Sequence, residues 1–167
     1  MRRLFPAAVL TAAVWLLCGC GSWAPADAAG DGGALQSVGV DPALCTVNVV
    51  EDTHGGFHGD GSTFVTAACM DGVAAELAAD GRWRALPLPE PLSQAIYGDD
   101  THGSLLMDGA AGNVPAIENG YWFFCDRHAE HASAEDPTAL WTRGSFNFTV
   151  ALYDADTGAL FYYALDT

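Results

Sequence analysis

The sequence predicts a single α+β domain, mainly an antiparallel β-sheet with one or two short helices. Three observations indicate this fold class. Short segments rich in β-branched and aromatic residues recur along the chain, turn sequences separate them, and helical periodicity is confined to short stretches. A chain of 167 residues, of which 50% are hydrophobic, is long enough to bury one core. We assign residues 41–167 to this domain.

The first two strands are predicted at residues 45–50 (CTVNVV) and 63–70 (TFVTAACM), which are rich in β-branched side chains. A glycine-rich loop joins them. Cys45 and Cys69 fall on these adjacent strands, so they are the first pair that we would expect to form a disulfide. An alternative remains open, in which Cys45, Cys69 and Cys125 are simply three buried, small apolar side chains.

Two short helices follow these strands. Asp71 is expected to cap the first helix, which places Val73 and Leu77 on one side. Pro91 fits the first turn of the second helix, and Gly98 marks its end. The helical content is therefore small.

Three further strands are predicted in the C-terminal part. Residues 120–125 (GYWFFC) form a continuous apolar run, which is typical of a central strand that is buried on both faces. Residues 145–153 alternate between large apolar and smaller side chains, and residues 160–165 are again strand-like. The turn sequence at 154–158 ends in a glycine, so we expect the last two strands to form a β-hairpin.

The N-terminal residues have the features of a secretory signal peptide, which we assign to residues 1–19. Arg2 and Arg3 give it a charged start. Residues 4–17 form an uncharged apolar run of about 14 residues, shorter than the roughly 20 that a membrane-spanning helix needs. The run leads into the tetrapeptide LCGC, which resembles the bacterial lipobox. The resemblance implies cleavage before Cys20 and attachment of lipid, such as palmitate, to that cysteine.

A lipid on Cys20 makes the mature protein a lipoprotein of the cell envelope, held on the extracytoplasmic face of the cell membrane. We assign residues 20–40 to the lipidated cysteine and a flexible tether, because this segment is rich in Gly, Ala, Ser and Pro and lacks periodicity. The alternative is an ordinary secretory signal that is cut after Ala24 or Ala26.

The chain is strongly acidic, and this restricts its partners. Its formal net charge is −15, and loss of Arg2 and Arg3 with the signal peptide makes it −17. Such a charge repels polyanions, and a mature chain without lysine offers no basic patch, so nucleic acid is excluded as a partner. The expected partners are the membrane, reached through the lipid anchor, and an unidentified protein or small ligand.

The most unusual segment is the glycine-rich loop DTHGGFHGDG at residues 52–61. His54, His58 and Asp60 are candidate ligands of a divalent metal, because a glycine-rich loop can fold imidazole and carboxylate groups inward. The alternative is a hairpin loop in which Asp52 and Asp60 accept backbone hydrogen bonds and stabilise turns, while the glycines adopt left-handed conformations.

A second group of polar residues, Asp126, Arg127 and His128, directly follows the apolar run at 120–125. Residues at the end of a buried strand emerge at one edge of the sheet. An arginine there can pair with a carboxylate, and we expect Asp52 or Asp60 to be its partner. A functional interpretation joins His128 to the two loop histidines in one acid–base or metal site.

Several segments together resemble a family of small, uncharacterised lipoproteins and secreted proteins from Firmicutes, particularly clostridial relatives. The resemblance rests on DTHGGFHGDG, RWRALPLPEPL, ENGYWFFCDRH, SFNFTVALYD and FYYALDT. It covers nearly the whole mature domain and implies family membership, but no activity. A second DTHG at residues 100–103 lies outside the family pattern, and we interpret it as coincidence.

The sequence favours a non-enzymatic envelope domain that binds a partner at a surface formed by residues 52–61 and 126–128. The chain has no G-x-S-x-G, P-loop or C-x-x-C motif, and this removes the common hydrolase, nucleotide-binding and thiol-redox interpretations. The competing hypothesis is a metal-assisted hydrolase that uses the loop histidines. We expect no cofactor unless that hypothesis, with its divalent metal, is correct.

Overall fold

The computed structural model describes residues 32–55, 59–106, 112–128, 133–142 and 144–167. The predicted signal peptide, the lipid acceptor Cys20 and the loop residue His58 lie outside these ranges. Within them, six strands form one antiparallel sheet with short helices beside it, so the predicted α+β class is confirmed. None of the described helices combines the length and the hydropathy that a bilayer-spanning helix needs.

The strands, numbered along the chain, are β1 (Cys45–Asp52), β2 (Gly61–Cys69), β3 (Trp83–Ala85), β4 (Gly120–Asp126), β5 (Asn147–Asp154) and β6 (Ala159–Asp166). The helices are α1 (Gly32–Ser37), α2 (Val73–Ala79) and α3 (Glu90–Tyr97). Short 3₁₀ helices cover Pro42–Leu44 and Pro137–Thr142. The strand order across the sheet is β1-β2-β6-β5-β4-β3.

The predicted strands occur close to their expected positions. β5 and β6 form the predicted hairpin, and Gly158 in its turn has a φ of 72°, a conformation that glycine adopts at low cost. β4 is buried on both faces but lies second from the edge of the sheet, because β3 pairs with its outer side. The three residues of β3 are too few to show a strand pattern in the sequence.

The folded domain begins earlier than the sequence analysis assigned. The sequence predicts that residues 32–40 belong to the tether, but they form α1 and the turn after it. Leu35 and Val38 are fully buried, and the indole N–H of Trp83 donates to the carbonyl oxygen of Val38 over 2.8 Å. Only a few large apolar side chains stand among glycine and alanine in this segment, and these are too few to display a helical period.

The two predicted helices are present, with one error in capping. α2 starts after Gly72, which has a φ of 105° and forms no side-chain cap, so Asp71 is not the N-cap residue. Its inner side chains, Val73 and Leu77, are buried as expected. α3 begins with Pro91 in its first turn and ends at Gly98, as the sequence predicted.

Helices cover both faces of the sheet, and each face has its own hydrophobic cluster. On one face, Leu35 of α1 and Leu77 of α2 pack with Tyr162 of β6. On the other, Leu92 of α3 packs with Phe124 of β4 and other aromatic side chains. Full burial of a large apolar side chain contributes about 1.5–3 kcal/mol, so these two clusters are the main source of stability.

A disulfide joins β1 to β2 at one end of the sheet. Cys45 and Cys69 are register partners, and their sulfur atoms are 2.08 Å apart. The predicted pairing is therefore confirmed. Cys125, on β4, is half-buried and lies outside this disulfide.

The antiparallel register gives the sheet two ends with different contents. We call the end that contains Cys45 and Cys69 the disulfide end. Gly32, where α1 begins, lies beside Pro42 near this end. The opposite end, which we call the rim, is formed by the adjoining loop residues and by the strand ends Asp52, Gly61, Asp126, Asn147 and Asp166.

Candidate functional site

Four side chains contact one another in line along the rim. The imidazole Nδ1 of His54 is 2.8 Å from Oδ1 of Asp52, and its Nε2 is 3.3 Å from Oδ2 of Asp166. The other oxygen of Asp166 accepts a 2.5 Å bond from the Arg127 guanidinium. Asp166 therefore connects the glycine-rich loop to the residue that follows β4.

The sequence predicts that Arg127 pairs with Asp52 or Asp60, whereas in the structure it pairs with Asp166. The strand order explains the observed pairing. β6 lies between β2 and β5, so the end of β6 stands between the loop that precedes β2 and the residue that follows β4. Asp52 contacts His54 instead, and Asp60 is exposed.

The guanidinium of Arg127 is held from three directions. Besides Asp166, it donates to the Thr149 hydroxyl and, over 3.1 Å, to the carbonyl oxygen of Leu165. Its side chain is 18% exposed. A charge this far from water is stable only when it is paired and hydrogen-bonded, so these contacts fix the end of β6 against β5 and β4.

The two ring nitrogens of His54 face two different carboxylates. Ionised carboxylates accept hydrogen bonds but cannot donate them, and a neutral imidazole carries only one N–H. Asp52 and Asp166 lie at opposite ring nitrogens, so a neutral ring donates to one of them and a charged ring to both. The Thr63 hydroxyl lies 3.4 Å from Nδ1.

The base of the loop is closed by its own hydrogen bonds. The Thr53 amide donates to the carbonyl oxygen of Ser62, and the Ser62 amide donates to the Thr53 hydroxyl. The His54 amide donates to Asp52 over 2.8 Å, which is the turn-stabilising role that the alternative interpretation gave to Asp52. A Cβ on Gly61 would lie 2.6 Å from the Cα of His54, so this close approach requires glycine.

Buried polar groups concentrate beneath the rim. Among the described residues, the buried polar or charged ones are Ser62, Thr63, Asp126 and Thr149. All of them are within three positions of a rim residue. Tyr162 lies deeper, where burial raises the pKa of its phenol against the opposing effect of nearby hydroxyls on Ser37 and Thr149. Buried polar groups need partners, so this network holds the rim in a defined arrangement.

His128 belongs to the rim but makes different contacts from His54. Its Nδ1 lies 2.9 Å from the side-chain nitrogen of Asn147, and its amide donates to Asp126. Asn147 and Asp166 are register partners, so they separate the contacts of the two histidines. The joint site of three histidines is therefore not assembled by direct contact between His54 and His128, and His58 lies outside the described residues.

The predicted metal site stays a prediction. Within the part of the chain that the structure describes, no three His, Cys, Asp or Glu side chains are grouped so that they could hold a metal ion. Both ring nitrogens of His54 are already in contact with carboxylates.

The second DTHG sequence forms a different turn from the first. There the amides of Thr101 and His102 donate to Asp99, one residue before the repeated motif, and these bonds lower the pKa of that carboxyl. The His102 ring packs on Trp141, with ring centroids 4.8 Å apart. This difference agrees with our interpretation of the repeat as coincidence.

Asp166 is the functional candidate that sequence reasoning missed. It is a single carboxylate near the end of a predicted strand, and nothing in the local sequence distinguishes it from the other acids. Its partners, His54 and Arg127, can be identified only when the strand order is known. No family model, curated protein or solved structure matches the chain.

Proposed function

We propose that this protein is a membrane-anchored extracytoplasmic lipoprotein whose folded domain binds a partner at the rim. One observation carries the binding role. Asp52, His54, Asp166 and Arg127 contact one another in line at the end of the sheet that lies opposite the start of the folded domain.

Two features support the anchored location. The LCGC tetrapeptide provides a lipid acceptor at Cys20, and the Cys45–Cys69 disulfide is typical of proteins that fold in an oxidising compartment outside the cytoplasm. Residues 32–40 belong to the folded domain, so they are not part of the proposed tether.

The two ends of the sheet support an outward-facing rim. The tether joins the domain at Gly32, beside Pro42 at the disulfide end. Strands of eight or nine residues separate this end from the rim, a distance of about 26 Å. The rim is therefore the end of the sheet that lies farther from the proposed tether.

The charge and the contacts at the rim favour binding over catalysis. The Asp52 side chain is 43% exposed and Asp60 is exposed, within a mature chain of net charge −17, so a positively charged partner surface is favoured. A general base needs a ring nitrogen that can reach substrate, whereas both nitrogens of His54 contact carboxylates. The histidine therefore organises this surface.

The anchor is tested by lipid labelling of the full precursor. We expect labelled palmitate to be incorporated into the wild-type chain and into a Cys18→Ala control, but not into Cys20→Ala, because only Cys20 has the acceptor position. Globomycin should make the precursor accumulate. Mature protein in the medium of treated cells, or equal labelling of Cys20→Ala, would contradict the anchor.

The rim is tested with a matched pair of variants in the two DTHG sequences. ¹⁵N-labelled mature chain with Cys20→Ser is titrated with fractionated envelope extract, and amide shifts are recorded. We expect the shifts to cluster at residues 52–55, 127–128 and 166, and to weaken with added salt. Asp52→Asn should weaken binding about fivefold or more, while Asp100→Asn leaves it unchanged.

Two outcomes of this titration speak against a rim site. In the first, the shifts map to another surface. In the second, Asp52→Asn and Asp100→Asn behave alike. The labelling experiment is independent of both outcomes, so the anchor and the binding site can fail separately.

A further inference from the structure

A groove of about 370 Å³ lies between α3 and the segments that adjoin β3 and β4, away from the rim. It is lined by Leu86, Pro87, Leu88, Ser93, Tyr97, Ile117 and Glu118. Sites for small molecules usually measure about 300–1,000 Å³, with mainly apolar walls and a few polar groups. This groove has that composition and is at the small end of that range.

Tyr97 provides an aromatic wall in a fixed position. Its side chain is 39% exposed, and it is one of three large hydrophobic residues that are exposed in the described part of the chain. Its hydroxyl donates to the carbonyl oxygen of Pro115 over 3.0 Å, which restrains the ring. Ser93 lies one helical turn before it on α3, so both side chains face the groove.

Glu118 gives the groove a negative charge that no described arginine neutralises. Ion pairs join Arg82 to Asp80, Arg84 to Glu135 and Arg127 to Asp166, and none of these pairs involves Glu118. Glu118 itself is exposed. Because the whole mature chain is also strongly acidic, the groove repels anions and attracts cations.

We propose that this groove binds a small organic cation with an apolar body. The apolar part packs against Leu86, Leu88 and Ile117, and the ammonium group lies between the Glu118 carboxylate and the face of the Tyr97 ring. Aromatic faces attract organic cations through their quadrupole, and a carboxylate adds charge-assisted hydrogen bonds. This site is separate from the rim and does not depend on its function.

The test compares three ligands that share one apolar body and differ in charge: 4-phenylbutylamine, 4-phenylbutanol and 4-phenylbutyrate. Each is titrated into the ¹⁵N-labelled mature chain carrying Cys20→Ser, and amide shifts give both the affinity and the site. We expect the amine to bind about tenfold more tightly than the alcohol, with the carboxylate weakest. The shifts should map to residues 86–88, 93, 97 and 117–118.

Variants of the lining residues measure separately how the charge of the groove and its aromatic wall contribute to affinity. Glu118→Gln should lower the amine's affinity about tenfold, to that of the alcohol, and leave the alcohol's affinity unchanged. Tyr97→Leu, which keeps an apolar wall but removes the ring, should weaken the amine more than the alcohol. Asp71→Asn removes an exposed carboxylate outside both the groove and the rim and serves as the control, with no effect expected.

The proposal is overturned if the three ligands bind alike, if none binds at millimolar concentration, or if Glu118→Gln leaves the amine's affinity unchanged. Shifts that map outside the groove also overturn it. Concentration-dependent shifts of the groove residues without ligand, accompanied by a dimer in sedimentation, would assign the groove to a second copy of the chain instead.

Discussion

Asp166 contacts two distant parts of the chain, with one carboxylate oxygen near His54 and the other bonded to Arg127. At the residue scale, this shared carboxylate connects His54 and Arg127 in one polar site. Loss of its charge would weaken the ion pair that holds a partly buried guanidinium and would remove the link to the loop. Asp166 is thus a positioning residue for the rim, and Asp52 is the more exposed contact for a partner.

A second ion pair provides a pH-dependent prediction. The Arg82 side chain holds the pKa of Asp80 below its ordinary value of 3.8, mainly through side-chain hydrogen bonds. A lowered pKa in the folded state contributes stability above pH 3.8, and this stability is lost as the pH falls through the folded-state pKa. Asp80→Asn should therefore destabilise the domain at pH 7 by about 1 kcal/mol, with the difference closing at low pH.

Urea denaturation of the wild type and of Asp80→Asn at pH 7 and at about pH 2.5 measures this effect. Asp100→Asn, which changes an exposed carboxylate, is the control. Its free energy of unfolding should equal that of the wild type at neutral pH. A constant difference between the wild type and Asp80→Asn across the whole pH range would show that the lost stability does not come from ionisation.

At the scale of the element, α1 is the main departure from the sequence analysis. Six residues are too short for a stable isolated helix, so α1 forms because Leu35 and Val38 are buried against the sheet. The carbonyl oxygen of Val38 also accepts the indole N–H of Trp83. The helix therefore depends on tertiary contacts, and a search for local periodicity could not find it.

This account of α1 predicts a clear difference between two substitutions in one helix. Leu35→Ala should lower the free energy of unfolding by about 2–5 kcal/mol, because it leaves a cavity in the core. Gln36→Ala, which changes an exposed neighbour, should alter it by no more than about 0.5 kcal/mol. Urea denaturation of the mature chain with Cys20→Ser measures both. If both substitutions change the free energy of unfolding by the same small amount, residues 32–40 belong to the tether and not to the folded domain.

At the scale of the whole molecule, the proposed point of attachment and the proposed binding surface lie at opposite ends of the sheet. The chain joins the domain near the disulfide end, and the polar network lies at the rim. The groove beside α3 is a third region with its own chemistry. The rim exposes the carboxylates of Asp52 and Asp60, and the groove exposes that of Glu118. Raised salt should therefore weaken the binding of a positively charged partner or ligand at each of them.

The sequence by itself determined the fold class, five of the six strands, the C-terminal hairpin and the Cys45–Cys69 pair. These features follow from alternation, β-branched runs and turn residues, which are local patterns. It also identified His54 and Arg127, whose residue types are scarce in this acidic chain. Only the tertiary structure decided that they meet through Asp166, which lies 112 positions from His54. That contact depends on β6 lying between β2 and β5, and no local pattern encodes the order of strands in a sheet.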